Sequence, residues 1–361
     1  MAASWGCSAA GGAESEAQHR PSAAASASVT ASSNSSAFNA NNAAPKKARP
    51  KGGTRFIETL SVRRFLKGNI HTHTLRSDGD SEPRDVVRRY RDNGYAFLII
   101  TDHNSRTDPN ELASEVRPTF ALIAGEEVTM TSGGKPVHVN ALCTQSTIGG
   151  GDFGTKAEAL KWAIEKIHAQ KAIALINHPN FDWTLNEDDL PAGVGAELIE
   201  VFSGHPYVNT DGDLLRPSHE LLWTKMVDME LGYFGAAVDD MHHLKSSAKE
   251  PASRPFKGWV NVFGDTAYQD VICNGLRGGR FYSSSGVKLT HIQVTEKELA
   301  VTAAEKARVL FIGLEGAILA DNEVPAGKEA RYELRGGEVY VRAKVLGSDG
   351  RKAWTQPYWV K

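Results

Sequence analysis

The chain has 361 residues, 41% hydrophobic and 23% charged, a balance that fits a soluble globular protein of one large domain plus a smaller one and excludes a fibrous chain. Its formal net charge of -2 gives no global attraction to nucleic acid or to an anionic membrane, so an anionic ligand has to be captured locally. No run approaches the roughly 20 apolar residues of a membrane span, and the N-terminus lacks the basic-then-apolar order of a secretory signal. Cys7, Cys143 and Cys273 are too few and too dispersed to read as a disulfide framework or a thiolate metal site, so a reducing, cytoplasmic location is expected.

Residues 1–54 are Ala, Ser, Asn and Gly with few aromatic or branched side chains, and are expected to form a disordered tail because they bury too little surface to offset chain entropy. The basic run Lys46-Lys47-Ala48-Arg49-Pro50-Lys51 reads as a solvated linker, a common setting for such runs. Residues 55–286 alternate short apolar runs with amphipathic stretches, the pattern of βα units around a parallel sheet. Strands are predicted for the run ending at Ile70, then Phe97 to Thr101, Phe120 to Ala124, Val137 to Leu142, Ala172 to Asn177, Leu198 to Phe202 and Tyr233 to Val238. Helices are predicted from Pro83 to Asn93, Thr155 to Gln170, Ser218 to Leu231 and Thr266 to Leu276. Over 287–361 the helical pattern stops, and Thr290 to Val294, Arg308 to Gly313, Glu338 to Val345 and Gln356 to Val360 read as strands of a small β-sandwich domain.

Metal-ligand side chains recur where the apolar runs end. His71 and His73 follow the first run, and alternate residues of an extended chain point the same way. Alone the pair is weak, since 12 histidines in 361 residues give about 0.4 such pairs by chance. Yet Asp78 lies just beyond, Asp102-His103 closes Leu98-Ile99-Ile100-Thr101, and Glu127 follows Ala124-Gly125. His138 sits in the next run, His178 ends Leu175-Ile176-Asn177, and Asp240 and His242 follow Ala236-Ala237-Val238-Asp239. In a barrel of parallel strands the C-terminal ends share one face, where such residues converge. The chain shows no glycine-rich phosphate loop opening a helix, and so no nucleotide-cofactor fold.

In order, His71-Thr72-His73, Ser77-Asp78-Gly79, Thr101-Asp102-His103-Asn104, Gly125-Glu126-Glu127, Asn177-His178-Pro179 and Asp239-Asp240-Met241-His242 resemble the motifs of the PHP metal-dependent phosphoesterases. Gly258-Trp259-Val260, Arg280-Phe281-Tyr282-Ser283-Ser284-Ser285-Gly286 and Ala353-Trp354-Thr355-Gln356-Pro357 resemble the CehA/McbA branch, which includes a carbaryl hydrolase. The resemblance implies a distorted seven-stranded, TIM-like β/α barrel with two or three divalent ions, zinc, manganese or iron. By that resemblance His71, His73, Glu127 and Asp240 hold one ion. Glu127 bridges to a second with His138 and His178. Asp78, His103 and His242 hold a third, Asp78 standing where some relatives have histidine. Glu126 competes with Glu127, which is preferred because relatives have one residue between the glycine and the ligand.

The expected chemistry is hydrolysis by metal-activated water, with Asp102 orienting a ligand or shuttling protons and His205 touching substrate. The expected partner is a small molecule, foremost a phosphoester, with nucleic acid entering only as a nucleotide substrate. A carbamate, ester or amide is the alternative, and a non-catalytic metal-stabilised module the third reading.

Overall fold

A computed structural model describes residues 59–360 apart from 246 and 248; the expected tail lies outside these residues. In chain order the elements begin with β1 (Leu60–Val62), β2 (Phe65–Asn69), α1 (Pro83–Asp92), β3 (Phe97–Ile100), β4 (Ala121–Ser132), β5 (Lys135–Leu142), β6 (Asp152–Phe153) and α2 (Lys156–Ala169). They continue with β7 (Ile173–Ile176), β8 (Leu198–Ser203), α3 (His219–Asp228), β9 (Phe234–Val238), β10 (Trp259–Phe263), α4 (Gln269–Arg277) and β11 (Phe281–Ser284). Each of the seven runs read as strands is a strand, ordered β2-β3-β4-β5-β7-β8-β9 within one large sheet.

Two expectations about that sheet need correction. The strands do not all run parallel: β5 is antiparallel to both β4 and β7. The cause is Gly133-Gly134, both at positive φ (58° and 74°), a two-residue turn that folds β5 straight back on β4. Nor is the sheet closed by a ladder. β9 pairs only with β8 among the described strands, and the segments after β2 and β9 meet in one isolated parallel bridge, Thr72 to Met241.

Helix ends follow local chemistry. Pro83 occupies the first turn of α1, and Thr155 with Glu158 forms a reciprocal cap on α2. Val86, Val87 and Tyr90 of α1 share an apolar cluster with Leu98, Ile100 and Leu122. Leu160, Ile164 and Ile167 of α2 share another with Val139, Ala174 and Ile176. Cys143, just past β5, forms a disulfide with Cys273 in α4, which corrects the expectation of unpaired cysteines; their Cα atoms lie 6.3 Å apart although 130 residues separate them.

The remaining strands are β12 (Leu289–Val294), β13 (Glu298–Ala303), β14 (Ala307–Ile312), β15 (Ile318–Val324), β16 (Glu329–Glu333), β17 (Tyr340–Gly347), β18 (Lys352–Thr355) and β19 (Tyr358–Trp359). β1, β12, β13 and β16 form a second sheet, while β14, β15, β17 and β18 continue the large one through the pairing of β18 with β11. Leu289, Val301, Phe311 and Val345 belong to the apolar cluster that these strands share. No helix among the described residues is long and apolar enough to cross a membrane.

Candidate metal centre

Backbone pairing within and just beyond the strands brings together all nine side chains singled out in the sequence, Glu127 and His138 from inside β4 and β5 and not from strand ends. His71 and His73 follow β2, and the amides of Asp240 and His73 donate to the carbonyls of His71 and Met241, at 3.1 and 2.8 Å. Asp240 has φ 50°, a left-handed turn that ends the strand direction of β9 at the ligand itself. His103 forms an isolated parallel bridge with Glu127 of β4. On β5, His138 faces Thr129 of β4 across the hairpin, and His178 follows β7. Asp78 closes the loop after His73, where the Gly79 amide returns to the Thr74 carbonyl.

The donor atoms form four overlapping groups: His73, Asp78, His103 and His242; His71, His73 and Asp240; His71, Glu127 and His178; and His103, Glu127 and His138. Glu127 Oε2 and Asp240 Oδ1 lie 3.2 Å from His71 Nε2, and 3.1 and 3.3 Å from His73 Nε2. The other carboxylate oxygen, Glu127 Oε1, is 2.9 Å from His138 Nδ1 and 3.4 Å from His178 Nε2. Asp78 Oδ2 lies 3.4 Å from Nε2 of both His103 and His242. Ligands at roughly 2.1 Å from a shared cation sit about 3.0 to 3.4 Å from one another. Overlapping sets of these atoms lie within 4.8 Å of one another. His73 Nε2 and His138 Nδ1 are buried and make no hydrogen bond despite their short approach to Glu127, so these nitrogens and the carboxylate are oriented for a common third atom. The residues fit divalent ions.

Charges within the cluster compensate one another. Burial opposes ionisation of Glu127, but His71, His138 and His103 hold its pKa well below the carboxylate range. Asp240 is likewise depressed against burial, by His71, His73 and His242. Burial disfavours the His71 cation, yet Asp240, Glu127 and Glu200 raise its pKa well above the usual imidazole value. His73 is raised to about 9, burial again opposing and Asp240 and Glu127 prevailing. For His138 burial wins, and its pKa is lowered.

Supporting residues fix the cluster, and several were missed in the sequence. Glu200, in β8, accepts from His71 Nδ1 at 2.7 Å and from the His178 amide at 2.9 Å. It leaves His71 Nε2 directed at the cluster, the arrangement that sets tautomer and basicity in metal-ligating histidines. The available signal was a lone carboxylate inside Leu198-Ile199-Glu200-Val201. Asn177 donates to Glu127 Oε1 at 2.7 Å. Asp239 accepts from Tyr90 Oη and from the amides of Phe256, Lys257 and Gly258, which anchors the start of β10.

Glu126 accepts the amides of Ile148 and Gly149, so the cluster receives Glu127 and not Glu126. Asp102 is fully buried, and its oxygens accept from the Thr74 amide, Thr74 Oγ1 and Ser77 Oγ. Ser77 Oγ lies 3.3 Å from His73 Nδ1, so the Asp102 carboxylate reaches the cluster through the 74–77 loop, while its backbone carbonyl accepts the Glu127 amide at 3.2 Å. The His205 ring is 5.2 Å from that of His242, and its Nδ1 accepts from the Tyr207 amide at 3.3 Å. That bond puts its proton on Nε2, and burial lowers its pKa to about 4.

No family model matches the chain, and no curated protein matches it. Among solved structures it is similar to a two-domain protein from Bacteroides vulgatus described as containing a predicted PHP-like metal-dependent phosphoesterase, at 16% identity and TM-score 0.47, covering 84% of this chain and 100% of that one. A Bifidobacterium adolescentis protein described as a metal-dependent phosphoesterase shares 14% identity over 58% of this chain and 95% of its own, at TM-score 0.38. EndoQ from Pyrococcus furiosus, a lesion-specific endonuclease, shares 13% identity over 61% and 56% respectively, at TM-score 0.40. PHP-like metal-dependent phosphoesterases are thus among its structural neighbours.

Proposed function

We propose that this chain is a metal-dependent hydrolase that cleaves small phosphoesters, nucleotides included, with water. The observation that carries this reading is the division of the Glu127 carboxylate, Oε2 toward His71, His73 and His103 and Oε1 toward His138 and His178, as for a carboxylate shared between ions. A donor set of imidazoles and carboxylates without thiolates favours zinc, manganese or iron, two or three in number. His71, His73, Glu127 and Asp240 would hold one ion, Glu127 with His138 and His178 a second, and Asp78, His103 and His242 a third. Bound divalent ions supply Lewis acidity, polarising a phosphoryl oxygen and bringing the pKa of water to about 7.

The chain's own groups do the rest. His205, neutral and protonated on Nε2, donates a hydrogen bond to a substrate oxygen beside His242. Glu200 and Asn177 fix His71 and Glu127 against rotation. Asp102 holds the loop from His73 to Asp78 in register.

A second reading, hydrolysis of aryl carbamates, esters or amides, is favoured by an aromatic ring beside the cluster: the Phe181 ring centre lies 5.2 Å from that of His178 and 6.0 Å from that of His138. A parallel screen of phosphoesters and aryl carbamates with Mn2+- or Zn2+-loaded protein separates the two. Turnover of phosphoesters, lost in folded His71→Ala and Asp240→Ala variants, is the expected result. Turnover of carbamates alone replaces the first reading by the second, and inactivity on both leaves a metal-stabilised binding module.

A further inference from the structure

β9 delivers Asp239, Asp240 and His242, yet one of its two edges carries no ladder among the described strands. Strand backbone groups alternate sides, so the groups of Gly235 and Ala237 point away from β8, while the Phe234 amide bonds toward it, to Glu197. Unpaired buried backbone groups are costly. Here side chains take the ladder's place. The Gly235 amide donates to Gln356 Oε1 at 2.8 Å, and Gln356 Nε2 donates back to the Gly235 carbonyl at 3.0 Å. The Ala237 amide donates to Ser283 Oγ at 3.0 Å, and Ser283 Oγ donates to the Gly235 carbonyl at 2.7 Å. Both side chains are buried, Gln356 at 1% exposure and Ser283 at 0%. Ser283 lies in β11 and Gln356 directly follows β18, two strands that pair with each other.

We infer that Gln356 and Ser283 are positioning residues: a side-chain clasp from the C-terminal strands holds the open edge of β9 and thereby sets where Asp240 and His242 stand in the cluster. A carboxamide suits Gly235 because its acceptor and donor match one amide and one carbonyl of the same residue. A hydroxyl suits the gap between Ala237 N–H and Gly235 C=O because it accepts and donates at once. The strand is pinned at two points, three to five residues before Asp240 and five to seven before His242. The bearing on bound ions rests on the hydrolase reading; the clasp itself does not.

Amide hydrogen exchange in the metal-free full chain tests the clasp. Gln356→Leu and Ser283→Ala are each expected to accelerate exchange at least ten-fold at the Asp240 and His73 amides, which carry the bridge beside the cluster. Val139 in β5 is expected to stay unchanged, and Ser283→Thr, which keeps the oxygen, to behave as wild type. Ser283→Ala removes one atom, so it serves where Gln356→Leu fails to fold. Unchanged exchange at Asp240, or equal acceleration at Val139, overturns the clasp. Mn2+ titration of the same proteins is expected to show at least ten-fold weaker binding of the ions that Asp240 and His242 hold in Gln356→Leu, with the Glu127, His138 and His178 ion retained. Equal Mn2+ affinities would remove the clasp's bearing on the site. A wild-type chain that takes up no Mn2+ overturns the hydrolase reading, and the exchange result still decides the clasp.

Discussion

Glu200 has 0% exposure, and its carboxylate is divided between an imidazole and a backbone amide. Replacing it with Gln keeps the shape but removes the charge that polarises His71. Partners of this kind contribute roughly 10- to 100-fold to metal affinity, so Glu200→Gln is expected to weaken Mn2+ binding by that factor and, because its amide replaces one of two buried acceptors, to cost about 1 to 3 kcal/mol of stability. The metal-free cluster also carries a pH signature. His73 is raised from 6.5 to about 9, so its contribution to stability is complete below pH 6.5 and is lost as pH rises through about 9. Glu127 and Asp240 are depressed from 4.5 and 3.8, so theirs is present above those values and is lost as pH falls through the lower folded-state ones. Below pH 6.5 the depressed imidazoles of His138 and His205 oppose folding, so in chelator the melting temperature is expected to be highest near pH 6.5 and to decline toward pH 9. A melting temperature that climbs over that alkaline range contradicts the assignment. Near pH 7.5 His73 is still protonated in the metal-free chain, so loading Mn2+ is expected to release at least one proton per chain. Calorimetry in buffers of different ionisation enthalpy would count it.

At the scale of elements, apolar runs revealed the seven strands because burial on both faces leaves near-continuous Val, Ile, Leu and Ala, as in Phe97–Ile100 and Ile173–Ile176. Direction was the harder property. Val137-His138-Val139 looks the same whether its strand runs up or down, and only Gly133-Gly134 distinguishes the two. Since both glycines have positive φ, Gly134→Ala is expected to destabilise the chain by about 1 kcal/mol in denaturant titration. Of the C-terminal strands, β13, β15, β16 and β18 are not among those expected; in β15 and β16 exposed alternation such as Glu329–Glu333 resembles loop composition, while β13 and β18 are short runs interrupted by polar residues. The nine cluster residues were legible because each is a metal-ligating type within a strand or in the loop that follows one, Glu127 and His138 lying inside β4 and β5. Glu200, Asn177, Ser283 and Gln356 were not, since their importance lies in which backbone or imidazole they meet, and that is a property of tertiary contact.

Across the whole molecule, the Cys143–Cys273 disulfide ties the end of β5 to α4. Loss of a native cross-link typically costs about 2 to 5 kcal/mol, chiefly by freeing the unfolded chain, and a separation of 130 residues places this one toward the upper end. The Cys143→Ser, Cys273→Ser double variant is expected to lose that amount in denaturant titration while its Mn2+ stoichiometry stays that of wild type. The cluster itself is unevenly sheltered. The Asp78 side chain is 52% exposed, while those of Asp240 and Glu127 are 4% and 1%. Water therefore reaches one end of the cluster far more readily than the other, so removal by a dilute chelator should be sequential. An ion held beside Asp78 is expected to depart first and return last, so a chelator titration followed by metal analysis should resolve that outermost berth from the sheltered ones.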